Sequence, residues 1–380
     1  MSEVNVVYHH YPHYRRPIMA ELMANGRHSY RFWGSIEPIA GIVAFAGDNE
    51  VPVIPLRFRV WRGLWLLKGY WPALLDRRCD VLIVLANPNM PASWLMAIAG
   101  RATGKKILFW AHGWLSREGF VKRRLRNLYF RLAHGMLVYG ERSREIGISL
   151  GYPADRITVI YNSLDFDRAR RLVAQIEGAA LVERPQDLFA DRKRPLVICT
   201  ARLTRHCRFD LLLEAAARLR SEGSPVNILL VGDGAERPSL ETLARQLGVE
   251  AHFYGACYDE EVLARLIYFA DITVSPGKIG LTVIHSLSYG TPAITHGDLD
   301  AQMPEVEAIV PGSTGAFFRR GDAGDLADVM RAWLTSGKIR SEVRRACYDM
   351  IAGNWNPHRQ RMLIEEAIDR VTVFRGRGDA

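Results

Sequence analysis

The stretch SPGKIGLTVIHSLSYGTP, residues 275–292, decides how the chain is to be read. Ser275 and Pro276 end an apolar run, and Gly277 and Gly280 permit a tight turn with close backbone approach. An apolar helix starts near Leu281; Gly290 is placed to close it, and Pro292 prevents its continuation. Free N–H groups at such a helix start, aided by the helix dipole, suit a diphosphate. Strand–turn–helix connections are common, so this one gains meaning only from its surroundings.

Those surroundings repeat the pattern. PLVICTARL (195–203), VNILLVGDG (226–234), AHFYGA (251–256), ADITVSP (270–276) and TPAITHG (291–297) are apolar runs of strand length. Between them FDLLLEAAARLRSEG (209–223), SLETLARQLG (239–248) and DEEVLARLIYFA (259–270) are amphipathic at helical spacing. The first half alternates in the same way. Its strands are VNVVYHH (4–10), DVLIVLA (80–86), KKILFWAHG (105–113), GMLVYG (135–140) and RITVIYNS (156–163). Its helices include RRPIMAELMANG (15–26) and KRRLRNLYFRLA (122–133). Continuous β-branched runs alternating with helices predict parallel sheets covered on both faces.

The fold class is therefore α/β, with two doubly wound Rossmann-like domains. At 380 residues the chain is too long for one ordinary core. Periodicity lapses over EGAALVERPQDLFADRKRP (177–195), which puts the domains at 1–180 and 190–350. A last helix, about 355–380, follows a proline-containing break. In such sheets ligands bind beyond the carboxyl ends of the strands. Two domains facing a central cleft would bring their motifs there.

Five cysteines (79, 199, 207, 257, 347) are scattered, odd in number and never paired as C-x-x-C. They speak for a reducing cytoplasm and against a disulfide framework or a zinc site. The start, MSEVNVVYHHYPHY, has no basic region ahead of an apolar core, so no signal peptide is expected. VLIVLANPNMPASWLMAIAG (81–100) is uncharged over the length of a membrane span. Its central NPNMP breaks it into a buried strand (81–85), a loop and a packed helix from Ser93.

Charge is unevenly placed. Residues 57–131 hold 15 Lys+Arg against 3 Asp+Glu, a balance of +12 that leaves −3 for the rest. Within them LRFRVWRGLWLLKGYW (56–71) interleaves basic and apolar residues, as in a segment on an anionic bilayer. The alternative makes Trp61, Leu64 and Trp65 core and the arginines a solvated face. Nucleic acid is not the expected partner, because no helix-turn-helix, zinc finger or RNP-like run accompanies the charge.

Four stretches at strand ends carry the chemistry. TARLTRHCRFD (200–210) sets Arg202, Arg205 and Arg208 in one short loop, suited to a diphosphate leaving group. VGDGAER (231–237) is a second glycine turn, in which Gly232 is a candidate nucleotide contact; Arg237 replaces the third glycine of a dinucleotide fingerprint. FWAHGWL (109–115) places His112 at a strand end, where its imidazole can meet a sugar hydroxyl. The glycine turn at 277–282 is the fourth.

In this order the stretches resemble glycosyltransferase family 4, whose members have the two-domain GT-B fold and transfer sugars from nucleotide sugars with retention. The resemblance covers nearly the whole chain. It rests on AHG (111–113), VIYNSLD (159–165), ARLTRHCRFDLLLEA (201–215), LLVGDG, HFYGACYDEEVLARLIYFADITVSP, the glycine helix, MPEVEAIVPGSTGAFF (303–318) and a final helix returning to the first domain. It implies that Arg202 binds the diphosphate and that the amides from Lys278 to Thr282, with Gly280 and Leu281 between, grip the phosphates and donor sugar. It implies further that His112 lies beside the sugar ring and that Ala256 to Tyr258 flank the base. Two departures stand out. Cys207 takes the place of a lysine, for which Arg205 or Arg208 is the expected substitute. Gly277 and His285 take the places of two glutamates; His285 can still bind ribose hydroxyls, and Glu305 and Glu307 are candidate carboxylates.

The expectation is a retaining hexosyltransferase acting in surface polysaccharide biosynthesis. It would use a UDP- or GDP-linked sugar, with no cofactor or metal, and a lipid-linked or oligosaccharide acceptor. It would be cytoplasmic, with peripheral attachment to an anionic membrane surface. The alternatives are a non-catalytic nucleotide-sugar-binding protein of the same fold and a GT-B nucleotide-sugar epimerase.

Overall fold

All ten apolar runs read as strands form strands, and among the described residues five others join them. The computed structural model describes residues 1–39, 43–114, 118–180 and 183–372. It divides into two compact units, Met1–Leu164 with Asn356–Ala380, and Asp165–Trp355.

In the first unit β1 (Glu3–His10), β2 (Ser29–Ser35), β3 (Val53–Pro55), β4 (Arg57–Trp61), β5 (Leu64–Lys68), β6 (Val81–Leu85), β7 (Lys106–Ala111), β8 (Gly135–Val138) and β9 (Ile157–Val159) follow one another. Seven of these make a parallel sheet in the order β3-β2-β1-β6-β7-β8-β9. Alternate residues enter opposite cores. Leu82, Val84, Ile107 and Phe109 face one side, and Val81, Ile83, Leu108 and Trp110 the other. Burial on both faces is why these runs are continuously apolar.

The hairpin β4–β5 turns at Arg62-Gly63, both at positive φ, the geometry of a two-residue turn that matches strand twist. It divides the expected alternatives. Phe58 and Leu67 are buried and Trp65 packs on His9 and Phe58, whereas Val60, Trp61 and Leu64 are exposed. The helix after NPNMP begins at Pro91, two residues before the expected Ser93, because proline is preorganised for the first helical turn.

The second unit holds β10 (Leu196–Thr200), β11 (Asn227–Val231), β12 (Ala251–Gly255), β13 (Ile272–Ser275), β14 (Ala293–His296) and β15 (Gly315–Phe318). They form a parallel sheet in the order β12-β11-β10-β13-β14-β15. The sheet again faces two cores, with Val197 and Ile228 on one side and Ile198 and Leu229 on the other.

The division between units falls ahead of the helix Phe166–Gly178, not in 177–195. Ala169, Leu172 and Val173 of that helix pack with Leu196, Ile198 and Leu229 of the second unit, so burial assigns it there. Asp165 caps the helix, accepting from the Arg168 amide at 3.0 Å. The last helix, Pro357–Thr372, puts Leu363, Ile364, Ala367 and Ile368 into a core of the first unit. Residues 373–380 of the expected helix lie outside the described residues.

Candidate functional site

The glycine turn follows β13 as expected, and the helix Leu281–Ser288 begins with Gly280 as its N-cap. Leu281 and Thr282 lie in the first turn, where amides have no intrahelical acceptor. Together with those of Lys278 and Gly280, their amides have no hydrogen-bond partner among the described residues. The Ile279 amide is different: it donates to Gln302 Oε1 at 2.8 Å. Gln302 Nε2 donates in turn to Thr295 Oγ1 at 2.9 Å and to the carbonyl oxygen of His296 at 3.1 Å. One side chain thus holds the turn in shape, and nothing in the sequence around Gln302 announced it.

The departures at 207 and 277 are a single contact. Gly277 N–H donates to the Cys207 carbonyl oxygen at 3.0 Å. A Cβ on residue 277 would lie 2.0 Å from the carbonyl oxygen of His206. The backbone of the arginine loop therefore fills the space a glutamate side chain would leave through. Gly232 has a similar task. Its Cβ would lie 2.0 Å from the Ala201 carbonyl oxygen, and that of Gly234 would lie 2.3 Å from the Leu203 carbonyl oxygen. These two glycines let the segment carrying Arg202 rest on the end of β11. Gly232, a candidate nucleotide contact, thereby also positions the segment that carries Arg202.

Arg205, Arg208, Gly277 and Lys278 line one cavity of about 320 Å³, with His206, His296 and Arg320 also on its wall. Arg202, Leu281, Thr282 and His285 do not line it. Arg202 and Arg205 are exposed. Arg208 is a weaker substitute for the missing lysine than expected. Asp210 accepts from its Nε at 3.0 Å and from its Nη2 at 2.8 Å, a bidentate pair that takes up its charge. Arg208 also adopts a left-handed backbone, φ 53° and ψ 43°, disfavoured for a residue with a side chain.

His285 is not an open imidazole. Its Nε2 lies 2.8 Å from Glu260 Oε1, and Tyr289 Oη donates to the same oxygen at 2.5 Å. Burial would raise the Glu260 carboxyl, but the hydrogen bonds from His285 and Tyr289 outweigh it and hold the group down at about 2. A carboxylate thus stands beside position 285 although the helix itself carries none. Glu260 was passed over in the sequence, where it follows Tyr258 by two residues in CYDEEV. Tyr258 is 82% exposed, leaving its ring open for stacking. Glu305 is only 2% exposed, in the segment whose Met303 Cγ would meet a Cβ on Gly280 at 3.6 Å.

In the first unit His112 is exposed at the end of β7. Its carbonyl oxygen accepts from Ser143 Oγ at 3.0 Å, and the same hydroxyl accepts from the Trp114 amide at 3.1 Å. Gly113 has φ 82° and a Cβ there would lie 1.8 Å from Ser143 Oγ, so the AHG turn needs glycine. The His112 ring packs on Tyr139 at 5.0 Å.

Residues 39–168 match the model of glycosyltransferase family 4, and residues 183–350 match that of glycosyl transferases group 1. A glycogen synthase of Paracoccus denitrificans is 31% identical over 199 residues, which are 48% of this chain and 42% of that protein. The lipopolysaccharide core biosynthesis glycosyltransferase LpsE of Rhizobium meliloti is 27% identical over 202 residues, 51% of this chain and 56% of the relative. The chain thus spans about half the length of these curated relatives. Its fold is similar to the crystal structure of Anabaena HepE in complex with UDP. The TM-score is 0.70 at 16% identity, over 97% of this chain and 100% of that one. With a family 4 module on its first parallel sheet and a group 1 module on its second, the chain belongs to the glycosyltransferases of GT-B fold.

Proposed function

We propose that the chain is a retaining glycosyltransferase that moves a hexose from a UDP- or GDP-linked donor to a lipid-linked glycan in surface polysaccharide biosynthesis. The carrying observation is the set of open amides at Lys278, Gly280, Leu281 and Thr282, at the positive end of a helix, with Lys278 also lining a cavity together with Arg205. Such an array stabilises negative charge that grows on a departing diphosphate. In the proposed step the bond between the anomeric carbon and the diphosphate oxygen breaks. A bond to the acceptor hydroxyl forms on the same face, and the hydroxyl proton passes to a diphosphate oxygen. The protein supplies position and positive potential, with no nucleophile of its own and no metal. Arg202 completes the diphosphate grip, His112 orients the donor sugar, and Glu260 beside His285 takes the ribose hydroxyls. HepE in its UDP complex and LpsE in lipopolysaccharide core synthesis support the donor and the pathway class.

The membrane part of the proposal rests on the first unit. Among the described residues no helix is long and apolar enough to cross a membrane. The helix Phe120–Phe130 exposes Phe120, Val121, Leu125 and Leu128 among Lys122, Arg123 and Arg124, and the β4–β5 hairpin exposes Val60, Trp61 and Leu64. Apolar and basic residues mixed in this way suit the surface of an anionic bilayer on the cytoplasmic side.

A non-catalytic nucleotide-sugar-binding protein is the second reading, favoured by the sealed side-chain space at Gly277. Transfer assays with a panel of nucleotide sugars separate the two. Arg202→Ala is expected to lower turnover by about two to three powers of ten, as for loss of a transition-state donor, with the fold intact. Wild-type-like turnover in that variant removes Arg202 from the mechanism, and ligand-induced stabilisation without turnover establishes the binding protein.

A further inference from the structure

We infer that the first unit carries a receptor for an oxyanion of the acceptor, built on Arg15. Resting on the transferase reading above, this gives that reading an acceptor class: a glycan bearing a phosphate or a carboxylate next to the hydroxyl that receives the sugar.

Arg15 is 8% exposed, and its surroundings are aromatic. Its guanidinium carbon lies 5.4 Å from the centre of the Trp110 ring and 5.0 Å from that of Tyr139. Nη2 donates to Tyr139 Oη, which stands 3.2 Å from Tyr8 Oη. The hydroxyls of Tyr139, Tyr8 and Tyr14 are the main electrostatic neighbours of Arg15, and among the described residues no carboxylate forms an ion pair with it. Arg15 Nη1 and Trp110 Nε1 are buried and have no hydrogen-bond partner among the described residues.

A cation that is desolvated without a counter-charge is costly, because arginine keeps its proton and cannot escape by neutralising. Cation–π contact with two rings offsets part of that cost and leaves the open N–H groups unanswered. Water would satisfy the N–H groups but not the charge. An oxyanion does both, accepting from Arg15 Nη1 and from Trp110 Nε1.

The location fits a substrate. Arg15 follows β1, Trp110 lies at the end of β7 and Tyr139 directly follows β8, so all three gather at the carboxyl ends of parallel strands. Tyr139 links the niche to His112, whose ring packs on it at 5.0 Å and which is itself exposed. The residue assigned to the donor sugar and the residue assigned to the acceptor anion therefore touch the same tyrosine.

The test uses the full chain, with inorganic phosphate and glucuronate as probes, read by calorimetry and thermal shift at saturating UDP. Phosphate or glucuronate is expected to bind saturably to the wild type and equally to Arg202→Ala. Arg15→Gln is expected to weaken that binding by about tenfold or more, the effect of losing a charge-assisted hydrogen bond, and Arg15→Lys by less. Whichever probe binds tells a phosphate-bearing from a uronic-acid acceptor. In transfer assays Arg15→Gln should raise the KM for an anionic acceptor and leave the KM for the nucleotide sugar unchanged. Should Arg15→Gln fail to fold, Trp110→Phe removes the second open donor while keeping a ring, and it must weaken the same probe. Absence of saturable probe binding in the wild type, or undiminished binding in the substituted proteins, overturns the niche. Probe binding that depends on Arg15 in a protein with no transferase activity keeps the niche and sinks the transferase reading.

Discussion

Replacing Gly277 with alanine tests the contact that distinguishes this site. The new Cβ would stand 2.0 Å from the His206 carbonyl oxygen and 2.9 Å from Cys207 Cα, both backbone atoms that cannot swing aside. Retreat of the loop would break the Gly277 N–H bond to the Cys207 carbonyl oxygen. Overpacking of this kind costs about 1–3 kcal/mol. In a domain the size of the second unit each kcal/mol lowers Tm by about 2–4 °C, so a fall of roughly 2–12 °C is expected. Because the displaced loop carries Arg205 and abuts Lys278, UDP affinity should fall by about tenfold, equivalent to about 1.4 kcal/mol. Gly178→Ala is the control: nothing lies within 4 Å of its Cβ position, at the end of a helix of the same unit. It should change stability by no more than about 0.5 kcal/mol. Thermal unfolding of both variants, with and without UDP, measures these effects. A Gly277→Ala protein that melts with the wild type and binds UDP equally well would refute the reasoning.

Three further outcomes follow from the geometry. Arg208→Gly should be more stable than Arg208→Ala by about 1 kcal/mol in denaturant titration, since both lose the Asp210 pair and only alanine keeps the left-handed strain; equal stabilities would show that the loop relaxes. Glu260 is held at about 2 in the folded protein, so it stabilises above its unfolded value near 4.3. That contribution, on the order of 2–3 kcal/mol, is lost as pH falls from about 4.3 towards 2. Glu260→Gln should flatten this acid limb, and an unchanged limb would locate acid sensitivity elsewhere. Vesicles of anionic lipid should bind the protein at low salt and release it as salt rises, because the Debye length shortens to about 8 Å at physiological ionic strength. Substituting serine for Val121 and Leu125 should weaken binding without altering UDP affinity, and indifference to vesicles in the wild type would remove the membrane from the proposal.

Much of the architecture was legible because burial on both faces of a parallel sheet leaves a plain trace. Runs such as LLVGDG and VLIVL admit no other reading once helices alternate with them. The strand Ser29–Ser35 did not stand out because Arg31 and Gly34 interrupt its apolar residues. The unit boundary was misplaced because loss of periodicity marks the end of a helix, not the side on which the helix packs. In the site, Gly277, Lys278 and the Arg205 loop came together as read, since all sit at strand ends. Glu260 and Gln302 did not stand out, because each acts through a side chain reaching another segment. His285 with Glu260, and Gln302 with Ile279, are 25 and 23 residues apart, beyond any local pattern. Arg15 reads in sequence only as the start of an amphipathic helix; that no carboxylate among the described residues pairs with it shows only in three dimensions.

The last helix has a bearing on how the protein is made. Gln360 donates to the Tyr161 carbonyl oxygen at 2.8 Å and accepts from Ser163 Oγ at 2.7 Å, while Arg361 reaches Glu21 at 2.9 Å. These clasps join residues 197, 199 and 340 positions apart. During synthesis the ribosome must therefore deliver all of the second unit before the first can fasten its final piece. Until then the apolar surface that Leu363, Ile364, Ala367 and Ile368 cover stays open to solvent.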